Sequence, residues 1–68
     1  MKVLIQLIAS KDFIQEAGQW TPDPDLALDF KNSTSAIKYL KQNDLKGIQV
    51  VLKFPESRYD IVLLQRDI

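Results

Sequence analysis

"IQVVLKFPESRYDIVLLQR", residues 48–66, decides the architecture of this chain. Two runs of aliphatic and β-branched residues, 48–54 and 59–66, flank the turn-forming "PESR" at 55–58, which is the pattern of a β-hairpin. Setting Phe54 opposite Tyr59 pairs Leu52 with Ile61, Val50 with Leu63 and Ile48 with Gln65 on one face. The other face receives Lys53–Asp60, Val51–Val62 and Gln49–Leu64. An opposite-charge pair and aliphatic pairs falling out of one register support it, because cross-strand pairs are what stabilise a sheet. An antiparallel sheet with one wet side alternates apolar and polar residues. "IVLL" (61–64) and "VV" (50–51) do not alternate, so this hairpin needs cover on both faces.

Upstream, Asn32 or Ser33 caps a helix predicted over 34–43. Its apolar members Ala36, Ile37 and Leu40, with Tyr39 on the flank, recur at helical spacing, and Lys41 complements the dipole in the last turn. "NDLKG" ends the helix, with Leu45 folding back and Gly47 taking positive φ. "KVLIQLIA" (2–9) is a strand, "SKD" (10–12) a turn, and "FIQEA" (13–17) a weaker strand that closes a hairpin before Gly18 breaks it. In "TPDPD", Asp23 caps one helical turn through Ala27 with Pro24 at its first position, and "LALDF" (26–30) leaves as a short extended piece. The sum is an α+β fold of one domain, 1–68: an antiparallel four- to five-stranded sheet with one helix packed on one face, in the order β-β-(β)-α-β-β, two layers.

Composition excludes several function classes. Sixty-eight residues make a domain that buries little of its unfolded surface, and such scaffolds gain margin from a staple, a metal or a partner. With no Cys there is no disulfide and no thiolate ligand; with no His the commonest zinc ligand and general base are missing. Nine basic and nine acidic residues cancel, so no net field draws the chain to nucleic acid or an anionic membrane. "MKVLIQLIAS" places a Lys before an apolar run, but Gln6 interrupts that run, and it reads as a strand, not a signal peptide. No stretch approaches the length of a membrane span. A cytoplasmic protein is expected.

Chemistry-bearing residues are few. Asp23, Asp25 and Asp29 stand close together, yet without the alternate oxygen ligands, central Gly and terminal Glu of an EF-hand loop. They read as a capped turn with solvated neighbours, and no metal or cofactor is expected. Trp20 with Tyr39 or Tyr59 lacks the basic stripe of a base-stacking platform, and reads as core edge. Ser10, Ser33, Thr34, Ser35 and Ser57 have no His to activate them. Gly18 and Gly47 are too few for a phosphate loop. Arg58 and Arg66 lie beside acids in "RYD" and "QRD", which suggests surface pairing. The chain is expected not to be an enzyme.

The run W-T-P-D-P-x-x-A-x-x-F, Trp20 to Phe30, followed by the helix with "SAIKYL" and the strand "GIQVV", resembles a pattern in small uncharacterised bacterial and phage domains. Trp20, Asp23, Pro24, Phe30, Ala36 and Ile37 also resemble, more weakly, the spacing in an accessory-subunit family of respiratory complex I. The matching residues are packing residues. What the resemblance implies is architecture, a structural elbow at 18–40, and a non-catalytic place in an assembly.

Function therefore rests on the two-sided sheet. One helix covers Val3, Ile5, Leu7, Ile48, Val50, Leu52, Ile61 and Leu63. Leu4, Ile8, Val51, Val62 and Leu64 are left on the opposite face as the candidate interface. Either the 13–30 segment, with Phe13, Trp20 and Phe30, wraps over that face, or it meets another subunit, a second copy in a homodimer or a larger partner. A nucleic-acid-binding accessory protein and a small enzyme or ligand-binding subunit are the alternative classes. They are distinguished by salt-dependent retention on DNA or RNA and by a pocket with converging polar groups.

Overall fold

The computed structural model describes residues 1–16 and 18–66. One antiparallel sheet of five strands carries a single helix: β1 (Lys2–Leu7), β2 (Phe13–Glu16), β3 (Gln19–Thr21), α1 (Ser33–Gln42), β4 (Ile48–Lys53) and β5 (Ile61–Arg66). Their spatial order is β3-β2-β1-β4-β5, so the first and fourth strands form the centre and β3 and β5 the edges. This is the expected α+β fold, with the optional fifth strand supplied by Gln19–Thr21. Ala17, placed at the end of the second strand, and Asp67 of "QRD" lie outside the described residues.

β1 and β4 pair along their whole length, from Lys2 opposite Lys53 to Leu7 opposite Ile48. Odd positions of β1 and even positions of β4 face the helix. Val3, Ile5, Ile48 and Val50 are buried there with Ile14 of β2 and with Ala36 and Leu40 of α1. Trp20, Phe30, Tyr39, Leu45 and Leu52 pack around this cluster. Phe30 and Tyr39 meet with ring centroids 5.0 Å apart and planes tilted by 58°. The elbow aromatics Trp20 and Phe30 thus serve the helix side of the sheet and do not wrap its reverse.

The helix is framed by its ends. Asn32 is the cap, its Oδ1 accepting from the Ser35 N–H at 2.8 Å. At the other end the Leu45 N–H donates to the Leu40 carbonyl (2.9 Å) and the Asp44 N–H to that of Lys41 (3.3 Å), a Schellman arrangement. The left-handed residue it requires is Asp44 (φ 49°), with Gly47 (φ 67°) turning the chain into β4. Leu45 is thereby returned to the core, as its sequence position predicts.

The expected helical turn at 23–27 is a single hydrogen-bonded turn. The Leu26 N–H reaches the Asp23 carbonyl at 3.1 Å, and the Asp23 carboxylate accepts from the Asp25 N–H at 2.9 Å. The elbow then fills the gap where β1 and β2 diverge. The Leu28 N–H donates to the Ile14 carbonyl, the Phe30 N–H to that of Val3, and the Val3 N–H to Asp29 Oδ1 at 3.1 Å.

The C-terminal hairpin departs from the expected register halfway along. Leu52–Ile61 and Val51–Val62 pair as predicted, and Lys53 Nζ sits 2.9 Å from Asp60 Oδ2. Beyond them a β-bulge leaves Leu63 as the extra residue. The expected pairs Val50–Leu63, Gln49–Leu64 and Ile48–Gln65 are replaced by Val50–Leu64, Gln49–Gln65 and Ile48–Arg66. The loop is also longer than "PESR": β4 ends at Lys53, β5 begins at Ile61, and a 3₁₀ turn, Ser57–Tyr59, lies between. The second carboxylate oxygen of Asp60 accepts from the Phe54 N–H at 3.0 Å and ties off this loop.

Candidate docking surface

α1 packs over β1 and β4. A helix about 10 Å across spans roughly two strands set about 4.8 Å apart. β5 is the outermost strand beyond that reach, and its sequence is aliphatic at four successive positions. Ile61 and Val62 are each 49% exposed, Leu63 44% and Leu64 37%. Ile61 and Leu63, expected beneath the helix, are therefore open surface; this corrects their assignment to the core. The signal that could have found them is the helix itself, which at ten residues is too small to roof five strands.

The five candidate interface residues do not share one environment. Leu4, Val51 and Val62 form a row across β1, β4 and β5 on the face away from the helix. Within that row exposure rises from 0% at Leu4 and 4% at Val51 to 49% at Val62. The inner two are buried within the chain itself, alongside Phe13, Thr21 and Gln49. Lys2, on the same face, reaches Asp25 of the elbow at 3.4 Å. Leu64, paired with Val50, belongs to the helix side. Ile8 lies past the end of β1, half-buried, its N–H bonded to the Gly47 carbonyl at 3.0 Å. The structure thus keeps Leu4, Val51 and Val62 in one row that is exposed only at Val62, and sets Leu64 on the opposite face and Ile8 beyond the strand.

A relay of amides crosses the sheet behind β5. Gln65 Nε2 donates to Gln49 Oε1 (3.0 Å), Gln49 Nε2 to Gln6 Oε1 (2.7 Å), and Gln6 Nε2 to the Lys11 carbonyl (2.9 Å). Gln49 is buried, so these bonds are what makes its position tolerable.

The two edges of the sheet differ. β3 has three residues and pairs with β2 across an irregularity between Ile14 and Glu16. β5 has six residues, no Pro, and no charge until Arg66. Short strands, prolines, charges and bulges are how proteins blunt a sheet edge, and within its aliphatic run β5 has only the last of these, at Leu63.

The acidic residues of the elbow are engaged locally. Asp29 Oδ1 holds the Val3 and Lys31 N–H groups, Asp23 caps its own turn, and Asp25 pairs with Lys2. Among the described residues no three acidic side chains converge as a metal site would require. Arg58 pairs with Glu56 at 2.8 Å and lies over the Tyr59 ring, and Arg66 pairs with Asp44 at 3.3 Å. A cleft of about 410 Å³ opens between Met1, Pro24, Phe54 and Pro55, and its two lysines, Lys2 and Lys53, are each paired with a carboxylate. No helix among the described residues is long and apolar enough to cross a membrane. Comparison with family models, with curated proteins and with solved structures finds no match.

Proposed function

We propose that this chain is a small non-catalytic assembly module that works by accepting a further strand at β5. The observation that carries this reading is the edge strand itself, apolar at four consecutive positions and exposed on both faces. An extended partner gains main-chain hydrogen bonds along such an edge and apolar contacts above and below it.

The magnitudes constrain the partner. Full burial of an aliphatic side chain is worth about 1.5–3 kcal/mol, and these four keep somewhat under half in reserve, about 3–5 kcal/mol together. Association costs about 4–15 kcal/mol in lost freedom and ordering. β5 alone does not cover that, so the partner must bring an apolar strand of its own; a polar peptide would not stay bound. The absence of cysteine suits a reducing compartment, and the cytoplasm is the proposed site of action.

The test is a photo-crosslinking residue placed at Val62 in the host cell, with Ser35 on the exposed helix surface as control. A discrete adduct at position 62 and none at position 35 is the expected result. No adduct at 62, or the same products from both positions, would overturn the proposal.

A further inference from the structure

Resting on that reading of β5, we infer that the strand it accepts is the β5 of a second copy, the two edges running antiparallel in one continuous sheet with five strands from each chain. The partner must present an exposed aliphatic strand at a sheet edge, and Ile61–Leu64 is such a strand, with its bulge at Leu63 next to the axis. Its ends are complementary. Asp60 precedes the run and Arg66 closes it, with no charge between. A two-fold axis near Leu63 sets the Asp60 end of each copy beside the Arg66 end of the other. Parallel pairing would bring like charges together at both ends, which is destabilising for directly opposed residues. Lys53 is already bonded to Asp60 and Asp44 to Arg66, so each end is an ion pair; the charge preference is modest and the aliphatic contacts carry the association. With a net charge of zero, two copies meet without general repulsion.

The association closes at two. An isologous contact consumes β5 on both subunits and leaves only the two β3 edges outside. Those are three residues long and adjoin an irregular ladder, a poor template for further growth.

Sedimentation equilibrium from about 1 µM to about 1 mM covers the range in which a modest interface would associate. The mass is expected to rise from 7.8 kDa to twice that value and to stop there. Leu63→Lys should hold the chain at the lower mass across the series, with an unchanged circular dichroism spectrum. Leu63→Cys, a truncation at an exposed position next to the axis, should form an intermolecular disulfide under mild oxidation, whereas Lys38→Cys on the outer side of α1 should not. A single 7.8 kDa species at every concentration, or a dimer that survives Leu63→Lys, overturns the inference. So does equal crosslinking of the two cysteine variants. If the purified chain is monomeric while position 62 still captures a different protein in the cell, the self-pairing fails and the assembly role stands; if neither occurs, both fail.

Discussion

Replacing Leu4 by Ala tests whether the reverse face of the sheet is divided into a buried inner half and an open outer edge. Leu4 is fully buried on that face, opposite Val51, with Val62 next in the same row. Truncating a fully buried Leu to Ala removes about 2–5 kcal/mol. At about 0.05–0.15 kcal/mol per residue, a domain of this length holds only about 3–10 kcal/mol in total. Val62→Ala removes two methyl-sized groups that are already half in water, so its expected loss is about 0.8 kcal/mol. Urea unfolding of both variants, followed by the fluorescence of the single Trp20, measures the difference. Low-micromolar protein keeps association from adding to the result. With a urea slope near about 1 kcal/mol/M for so small a chain, Leu4→Ala should move the midpoint by about 2 M or more, and Val62→Ala by less than about 1 M. Equal shifts, with equal slopes, would refute the division and return Leu4 and Val51 to the candidate interface.

Three further outcomes follow from local geometry. Asn32→Ala removes the acceptor of the Ser35 N–H and should destabilise by about 1 kcal/mol in a thermal melt, and an unchanged melting temperature contradicts the cap. Trp20→Ala strips a half-buried aromatic from the edge of the core and should lower stability by about 2 kcal/mol by far-ultraviolet circular dichroism; a shift under about 0.5 kcal/mol would show that the elbow is not anchored there. Asp44→Gly relieves a left-handed backbone at φ 49° while giving up one exposed ion pair. The relief, about 0.5–1 kcal/mol, outweighs a pair worth about 0–1 kcal/mol at most and typically far less, so the unfolding midpoint should rise slightly; a clear fall would mean that the Arg66 contact matters more than its exposure suggests.

The parts of the fold legible in the sequence are those that nearest neighbours specify. The α1 cap and periodicity, the return of Leu45, and the start of the C-terminal hairpin all follow from spacing and from one ion pair, Lys53–Asp60. The bounds of α1 differ by one residue from those expected, as fraying ends do. The burial of Leu4 was not legible, because it is tertiary; nor was the elbow's place beside β1, which rests on Phe30 N–H to the Val3 carbonyl and Val3 N–H to Asp29, between segments far apart in the chain. No local pattern encodes a loop stitched between diverging strands.

The bulge at Leu63 is the more instructive case. Four aliphatic residues in a row carry no phase, so sliding β5 by one position exchanges Leu for Leu and changes nothing that hydrophobic patterning can detect. What decides the register is an amide. In the expected pairing Gln49 stands opposite Leu64, and a buried side chain would be left short of a partner, a loss of about 1–3 kcal/mol. Inserting Leu63 brings Gln65 opposite Gln49 and completes the relay to Gln6 and Lys11. One glutamine on each of three strands was present in the sequence as the missing cue. The same insertion turns Leu64 to the helix side, beyond the span of α1, while Val62 stays on the reverse face. The face that Leu64 takes is thus tied to satisfying Gln49. Any substitution that frees Gln49 from that need, such as a buried Leu in its place, removes the reason for the bulge and should return Leu64 to the reverse face beside Val62, leaving Ile61 and Leu63 on the helix side.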